Sequence, residues 1–406
     1  MLDTIYPNSG LFLKGREKRS MEEITNKKIM KELGICLIVL LCTFFIAFVS
    51  PLFMEKYRTS PSYFQTFVRG TVLEIVENNL EKDSYVKGRY RGTQVLKIRL
   101  DEGEYKERVF EIQNTLDSLR SAVGFEGLHA IFTVRTEADG EINVWLYNYN
   151  RNWGVYLIII LFAVLVISIG KKEGIRSLLA LIFTAAVIFY FVVPGMWTPF
   201  PIPIAIFSSL LICSVTFLLI AGTTKKALVA TLGTVSGIIL AGLICYLMGH
   251  FMNLSGIDME KGSTLIYLAQ DRNFKVKDIL FVSILISSLG ATMDIAITLA
   301  SSGEQLQIAK PNMEKREYYA ALMAVGKDAI GTMTNTLILA FCGTSLPLAM
   351  MIWGYKMEYL QMINIPVIVI NILQAFSGSI GMVASVFFTA VISTIFFMRR
   401  KTYEKN

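Results

Sequence analysis

Histidine and paired cysteine are scarce in this chain. Its 406 residues include only two histidines, and all five cysteines lie in apolar runs without a C-x-x-C pair. Histidine or thiolate metal sites and disulfide frameworks need more of these residues, or closer spacing. The sequence therefore predicts no metal site, no disulfide framework and no cofactor.

Motifs that bind nucleotide phosphates or hydrolyse substrates are also missing. Gly326-Lys327-Asp328 lacks the earlier glycine and the hydroxyl residue of a P-loop. Neither an H-E-x-x-H motif nor a G-x-S-x-G nucleophile elbow occurs. We expect that the chain is not an enzyme and does not itself hydrolyse ATP.

Charged residues are few as well, and apolar residues are correspondingly frequent. Only 17% of residues are charged and 53% are hydrophobic, whereas a soluble domain is about 25% charged. The surplus of apolar residues lies in long blocks, several of which approach the length that crosses a hydrocarbon core of about 30 Å. These blocks are 35–53, 155–169, 178–193 and 202–221. The sequence predicts an α-helical integral membrane protein.

Basic residues give the chain a net charge of +7, and their positions indicate an orientation. They cluster beside the apolar blocks and alternate between sides, as in cytoplasmic loops of membrane proteins. We therefore expect a multi-pass protein of a bacterial cell membrane with both termini in the cytoplasm. Membrane lipid is the expected partner, joined by a partner subunit or a second copy, and no nucleic-acid partner is expected.

The order of polar and apolar segments predicts about eight transmembrane helices and one outside domain. Residues 1–34 form a basic cytoplasmic segment, 35–54 the first helix, and 55–152 an extracytoplasmic domain. Residues 153–400 form a membrane domain with about seven helices, and 401–406 a cytoplasmic tail. These helices are expected near 155–170, 177–194, 202–222, 227–252, 278–300, 328–352 and 378–398. The stretch 361–376 is expected to lie at the interface, to re-enter or to span.

The outside domain shows the two-residue period of half-buried strands. Leu96, Ile98 and Leu100 alternate with charged residues. Further strand candidates are 68–76, 108–112, 130–135 and 141–147, and a short helix is expected over 112–123. About five strands fit a small β-rich, OB-like domain. The aromatic run that includes Trp145 and Tyr147 is interpreted as an interfacial belt.

Polar residues recur on one face of the predicted sixth helix. Ser283, Ser287, Gly290, Asp294 and Thr298 follow at steps of three and four residues, which is the spacing of a helix face. A carboxylate at the centre of a membrane helix costs about 2.5–3.5 kcal/mol on insertion scales. This cost predicts that the stripe meets polar groups or water.

The predicted seventh helix carries matching polar residues, Asp328, Thr332 and Asn335. Counted from the cytoplasmic ends of the helices, Thr332 and Asn335 fall at the depth of Asp294. One interpretation is that hydrogen bonds tie the two helices together. The other is an ion or substrate path with Asp294 as its ion-responsive group. We expect Asp294 to face the protein interior, within hydrogen-bonding or single-water reach of the seventh helix.

Small residues mark helix faces suited to close packing. Gly233 and Gly237 form a G-x-x-x-G pair, a spacing that lets helix backbones approach closely. Packing within the chain and a dimer face both fit this pattern. A packing role is also expected for Gly290, Gly331, Ser377 and Gly381.

Several stretches together resemble the YibE/F family of bacterial multi-pass membrane proteins. They are 171–178, 224–227, 233–237, Leu289–Ala296 with Ala300–Ser302, and Gly326–Phe341, and the similarity covers most of 155–400. Asn364–Val367 stands where such proteins tend to carry an acidic segment. The resemblance implies a location and a topology rather than an activity. A weaker, fold-level similarity is to Sec accessory and RND-type permeases, which proves no function.

Two functions follow as hypotheses. The first is a transporter or exporter, or a subunit of one, driven by an ion gradient. The second is a non-transporting scaffold or regulator that works through its outside domain. Water reaching Asp294 favours the first, and a dry helix pair favours the second.

Overall fold

The computed structural model describes residues 30, 33–49, 65–84, 86–117, 120–137, 140–257, 259, 262, 265 and 276–398. Most of the predicted N-terminal segment, the tail and most of 258–275 lie outside the described residues. The chain divides into two units, Thr59–Leu165 and Val166–Asn406 with Met1–Arg58. The first unit contains the sheet and the second contains most of the helices.

Five antiparallel strands form the sheet in the order β3-β2-β1-β4-β5. The strands are β1 (Gln65–Lys82), β2 (Tyr90–Leu100), β3 (Val109–Leu116), β4 (His129–Thr136) and β5 (Ile142–Tyr149). The edge strands β3 and β5 also approach each other, so the sheet curls into a half-barrel. The small β-rich domain expected from the alternating residues is therefore present.

The concave side of the sheet holds an apolar core that includes Leu96, Ile98 and Phe132, all fully buried. The core requires a glycine at Gly70, because a Cβ there would lie 2.6 Å from the Arg99 carbonyl oxygen and 2.9 Å from the Phe132 ring. The helix expected over 112–123 is wrong, since β3 extends to Leu116. Its residues alternate between buried and exposed, as in a strand.

The β-rich unit should fold without the helices, because its core comes from its own five strands. We expect residues 59–150, expressed alone, to give a far-UV circular dichroism spectrum dominated by β structure. A spectrum dominated by helix would contradict the strand assignment. An unfolded product would instead show that the domain needs the rest of the chain.

Nine helices, numbered in chain order among the described residues, make up the rest of the fold. They are α1 (Leu33–Val49), α2 (Asn152–Val187), α3 (Pro201–Ala221), α4 (Lys225–Phe251), α5 (Val276–Ala309), α6 (Lys315–Thr344), α7 (Leu346–Gly354), α8 (Tyr359–Ile363) and α9 (Pro366–Phe397). A π-helical turn, Ile188–Val192, extends α2 to Gly195. In the second unit, α4, α5 and α9 pack against one another at the centre, and α6 packs against α5 and α9.

Five described helices are long and apolar enough to cross a membrane, or six if the bent pair α6–α7 counts as one span. The longest, Asn152–Gly195, has 44 residues, or about 66 Å of helix, twice the thickness of a hydrocarbon core. Helical geometry breaks at Lys171, and a Cβ on Gly174 would lie 3.3 Å from the Ile167 Cα. The chain therefore turns sharply there. The connection expected between the predicted helices 155–170 and 177–194 is reduced to this break, and the count of eight spans stays a prediction.

Helix α6 begins at Lys315 rather than near 328, so the cationic stretch 310–327, expected as a connection between the predicted helices 278–300 and 328–352, is mostly helical. Tyr318, Leu322 and Gly326 explain the difference, because they are buried at four-residue steps on one helix face. The Tyr318 hydroxyl also lies 2.9 Å from the Ser393 hydroxyl of α9. Charged side chains on the remaining faces are good helix formers.

Helix α9 begins at Pro366 rather than near 378. A proline fits the first helical position, where its missing N–H has no intrahelical partner to lose. Residues 366–376 are thus the first turns of α9, and their depth in a membrane stays a prediction.

Candidate functional site

The polar stripe of α5 lies on the side of the helix that faces away from the bundle. Gly290, Asp294 and Thr298 are exposed, while Ser283 and Ser287 are half-buried. The prediction that Asp294 faces the packed interior is wrong.

A second polar stripe of α5, which sequence reasoning missed, lies in the interior of the helix bundle instead. Ser288 and Thr292 are buried, and each hydroxyl donates to a backbone carbonyl one turn earlier in α5. Inside a helix bundle, a hydroxyl can donate its hydrogen bond to a backbone carbonyl of its own helix, whereas a carboxylate has no proton to donate. Burial of Ser288 and Thr292 therefore leaves neither hydroxyl without a hydrogen bond.

Among the residues that the structure describes, none forms a hydrogen bond with the Asp294 carboxylate. Thr298 donates only to the Asp294 backbone carbonyl, at 2.7 Å, and Thr332 donates to the carbonyl of Ala329, at 3.1 Å. The predicted direct bond to α6 is therefore not formed, and reach through one water stays a prediction. Both α5 and α6 extend past their predicted ends. Asp294 lies about four helical turns before the end of α5, and Ile330 lies about four turns after the start of α6, so the two residues are at about the same level.

Helix α6 is also polar on its exposed side. Asp328, Gly331, Thr332 and Asn335 are exposed, and the described chain offers no hydrogen bond to the side chains of Asp328 and Asn335. Together with Gly290, Asp294 and Thr298, these residues are the exposed polar and small positions of α5 and α6 that we call the α5–α6 face. A carboxylate left against lipid at mid-membrane costs about 2.5–3.5 kcal/mol, so this face requires water or another polypeptide.

The glycine pair of α4 packs inside the chain. Gly233 lies against Thr389 of α9. A Cβ on Gly237 would lie 2.6 Å from the Gly381 carbonyl oxygen of α9 and 2.9 Å from Thr292 Cγ2. Ser377 of α9 is also buried, so the small residues of α4 and α9 allow close approach of their helices.

Gly290 and Gly331, which were also predicted to pack, differ from this pair. No described atom lies within 4 Å of the position that a Cβ would take on either glycine. Their packing role therefore has no partner within the described chain. Both glycines lie on the exposed α5–α6 face.

The β-rich unit contains a cleft that sequence reasoning missed. It has a volume of about 500 Å³ and is lined by Phe67, Arg120, Trp145, Tyr147 and Asn148, among others. The rings of Phe67 and Tyr147 meet edge to face, 5.0 Å apart, and both side chains are more than half exposed. Trp145 and Tyr147 thus lie on β5 at the cleft, and their placement in an interfacial belt stays a prediction.

A buried amide network fixes the loop beside this cleft. Gln94 exchanges hydrogen bonds with the backbone of Gly124, at 2.9 and 3.1 Å, and Asn114 donates to the Ala122 carbonyl at 2.9 Å. Buried amides with satisfied partners rigidify a structure. The loop 120–124, of which residues 120–122 line the cleft, is therefore held against β2 and β3.

A second cavity lies where α6 bends into α7 by 62°. Its volume is about 210 Å³, and its lining is almost entirely apolar. The Asn371 amide of α9 donates to the Ser345 hydroxyl at the bend, 3.0 Å away. This bond ties the bend to α9 and satisfies a polar group in apolar surroundings.

Within the described ranges, no group of three or more His, Cys, Asp or Glu side chains could hold a metal ion.

Comparison with known proteins gives one match. A family model described as YibE/F-like protein matches residues 158–399. The match takes in α3 to α9 and nearly all of α2, and therefore the whole α5–α6 face. No curated protein and no solved structure matches the chain.

Proposed function

The chain belongs to the YibE/F family, and we propose that it is an ion-gradient-driven transporter or exporter, or a subunit of one. The observation that carries this proposal is the unpartnered Asp294 carboxylate on an exposed face of an apolar helix. Ionisable residues in membrane segments commonly mark ion or substrate paths. Asp294 is the proposed ion-responsive group, and Asp328, Thr332 and Asn335 are its polar surroundings.

We infer an ion gradient as the source of energy from the motifs that the sequence lacks. Without a P-loop, the chain has no familiar means of using ATP. A gradient acts on a carboxylate directly, by protonating it or by supplying a cation. We accordingly propose that the protein is not an enzyme and that it lies in the cell membrane with both termini in the cytoplasm.

The transport proposal predicts water at Asp294. On a background with all five cysteines replaced by serine, we expect Asp294→Cys to react with a small hydrophilic thiol reagent in native membranes. The expected rate is about tenfold or more above the controls, because thiolates form in water and not in lipid. One control is Ile295→Cys, whose position is fully buried, and the other is Ile239→Cys, on α4 and 54% exposed.

These controls separate the three environments that position 294 can have. Ile295 samples the dry bundle interior, and Ile239 samples an exposed apolar surface. If Asp294→Cys reacts as slowly as both, water does not reach the face and the transport proposal fails.

The alternative function is a scaffold or regulator that acts through the β-rich unit. The cleft favours it, because exposed aromatic rings beside Arg120 and Asn148 suit a ligand with polar and apolar parts. Slow labelling at position 294, together with loss of cellular function in Tyr147→Ala, would support this alternative.

A further inference from the structure

The cleft of the β-rich unit has a row of three side chains from neighbouring strands as its floor. Phe67 of β1 is paired with Thr133 of β4, and Thr133 is paired with Trp145 of β5. Directly paired side chains lie on the same face of a sheet. Phe67 is 57% exposed, whereas Thr133 is only 8% exposed. The two rings therefore flank Thr133 and leave it at the bottom of the cleft.

Two buried polar side chains that line this cleft have hydrogen-bonding capacity that the described chain does not use. The Thr133 hydroxyl forms no hydrogen bond with any described residue. Asn114 is 6% exposed and donates through its amide nitrogen to Gln94 and to the Ala122 carbonyl. Its side-chain oxygen accepts no hydrogen bond from the described residues. Because buried polar groups without partners are costly, both groups require water or a ligand from outside the chain.

The rim of the cleft adds unpaired donors and aromatic surface. The Arg120 guanidinium has no ion pair within the described chain, and no described Asp or Glu lines the cleft. The Asn148 side-chain oxygen accepts from the backbone N–H of Tyr149 at 2.9 Å, which leaves its amide nitrogen for a ligand. The rings of Phe67 and Tyr147 are both more than half exposed. The cleft thus combines hydroxyl and amide groups, one cation and aromatic rings.

We propose that this cleft binds an acidic sugar, that is, one or two sugar rings that carry a carboxylate. Sugar hydroxyls both donate and accept, so they can pair with Thr133, Asn114 and Asn148 together. The carbon-bound hydrogens of a sugar ring can cover aromatic side chains, whose faces carry negative charge density. The carboxylate fits Arg120, which offers a fork of donors. The cleft volume of about 500 Å³ lies within the range of about 300–1,000 Å³ for small-ligand sites.

Two other ligand classes fit this cleft less well. A peptide that binds by strand addition needs a free strand edge, but the cleft opens over the face of the sheet, where Thr133 is paired on both sides. Nucleic acids need several cations along their phosphates. Among the described residues, Arg120 is the one cation that lines the cleft. A single cation matches a ligand with a single carboxylate.

Saturation-transfer difference NMR on the full-length protein, in a detergent without a sugar headgroup, tests this proposal. The probes are disaccharides that contain one uronic acid or one lactyl-bearing sugar, in several linkages. Each is measured beside the neutral form in which the carboxylate is reduced to an alcohol. We expect at least one acidic probe to bind with a Kd of about 1 mM or below. Its affinity should exceed that of its neutral form by about tenfold or more, because hydrogen bonds to charged groups are the stronger ones.

Replacing Arg120 by glutamine tests the contact with the carboxylate. We expect Arg120→Gln to reduce the affinity for the acidic probe to about that of its neutral form. Arg108→Gln is the matched control, because Arg108 is also an exposed arginine of the β-rich unit and does not line the cleft. The control should leave the affinity for both probes unchanged.

Replacing Thr133 by valine tests the floor of the cleft. Valine keeps the shape of the side chain and removes the hydroxyl. Because this hydroxyl has no partner among the described residues, the unfolding midpoint without sugar should not fall. The affinity for the acidic and the neutral probe should fall together, by about threefold to tenfold. A lower midpoint with unchanged affinity would give the hydroxyl a structural role and contradict the proposal.

Three further results would contradict an acidic-sugar site. They are the absence of binding by every acidic probe at about 10 mM, equal affinity for acidic and neutral forms, and equal effects of Arg120→Gln and Arg108→Gln. The sugar site goes beyond the transport proposal and does not rest on it. Slow labelling at position 294 with sugar binding ends transport alone, and fast labelling without sugar binding ends the sugar site alone.

Discussion

Replacing Gly237 by alanine should lower the midpoint of thermal unfolding in detergent by roughly 1–4 °C relative to the control variant Gly249→Ala. A Cβ at Gly237 would lie 2.6 Å from the Gly381 carbonyl oxygen and 2.8 Å from Ser385 Cβ. The first of these atoms belongs to the α9 backbone, so α4 and α9 must separate. Overpacking of this kind costs about 1–3 kcal/mol, and each kcal/mol shifts the midpoint by about 1 °C in a chain of 406 residues, at an unfolding entropy of about 2.1 cal/mol/K per residue.

Gly249→Ala is the matched control, because Gly249 lies in the same helix and is also buried. A Cβ there would meet its nearest atom, on Leu373, at 4.0 Å, which is ordinary van der Waals contact. Both variants gain the same helix propensity, about 1 kcal/mol, so their difference isolates the clash. Size-exclusion chromatography of fluorescently tagged protein after heating gives both midpoints. Equal midpoints would show that α4 and α9 are not packed closely at Gly237.

Replacing Asp294 by asparagine should remove the response of the protein to its coupling ion while leaving it inserted and abundant. An ion that binds the folded protein at one hundred times its Kd stabilises it by about 2.7 kcal/mol. That corresponds to a rise of roughly 3 °C in the unfolding midpoint of a chain of 406 residues, at an unfolding entropy of about 2.1 cal/mol/K per residue. Asparagine keeps the shape of the side chain and removes its charge. We expect the midpoint of the native protein to change with Na⁺, at constant ionic strength, or with pH, and that of Asp294→Asn to stay constant.

Asp278→Asn is the control, because it removes one carboxylate from α5 by the same substitution. Asp278 lies in the first turn of α5, 16 residues before Asp294 and therefore about 24 Å from it along the helix axis. The control should keep the native response to the ion. An Asp294→Asn protein that responds to ions like the native one would leave Asp294 without an ion-binding role.

The sequence alone located most of the helices and strands, though not all of their ends, because these signals are local. Long apolar runs locate membrane helices, since each residue adds its own transfer free energy. Alternation in 96–100 and 130–135 located β2 and β4, since a strand exposes every second side chain. Family membership also followed from short local stretches, and the match over 158–399 shows it directly.

Some errors at helix ends were avoidable. The charged residues between 310 and 327 suggested a loop, but Tyr318, Leu322 and Gly326 at four-residue steps were a signal for a buried helix face. The break at Lys171 gave no such signal. A single residue with unusual dihedral angles replaces a whole loop there, and composition does not reveal it.

Only the tertiary structure decided which polar stripe of α5 is buried. The sequence shows one stripe through Ser288 and Thr292 and another through Asp294, separated by a rotation about the helix axis. Burial depends on where α4 and α9 sit around α5, and that is a property of non-local contacts.

Tertiary structure also decided the partner of Gly233 and Gly237, because a G-x-x-x-G pair permits close approach to any helix. Here α9 supplies that helix, through Thr389 and Gly381.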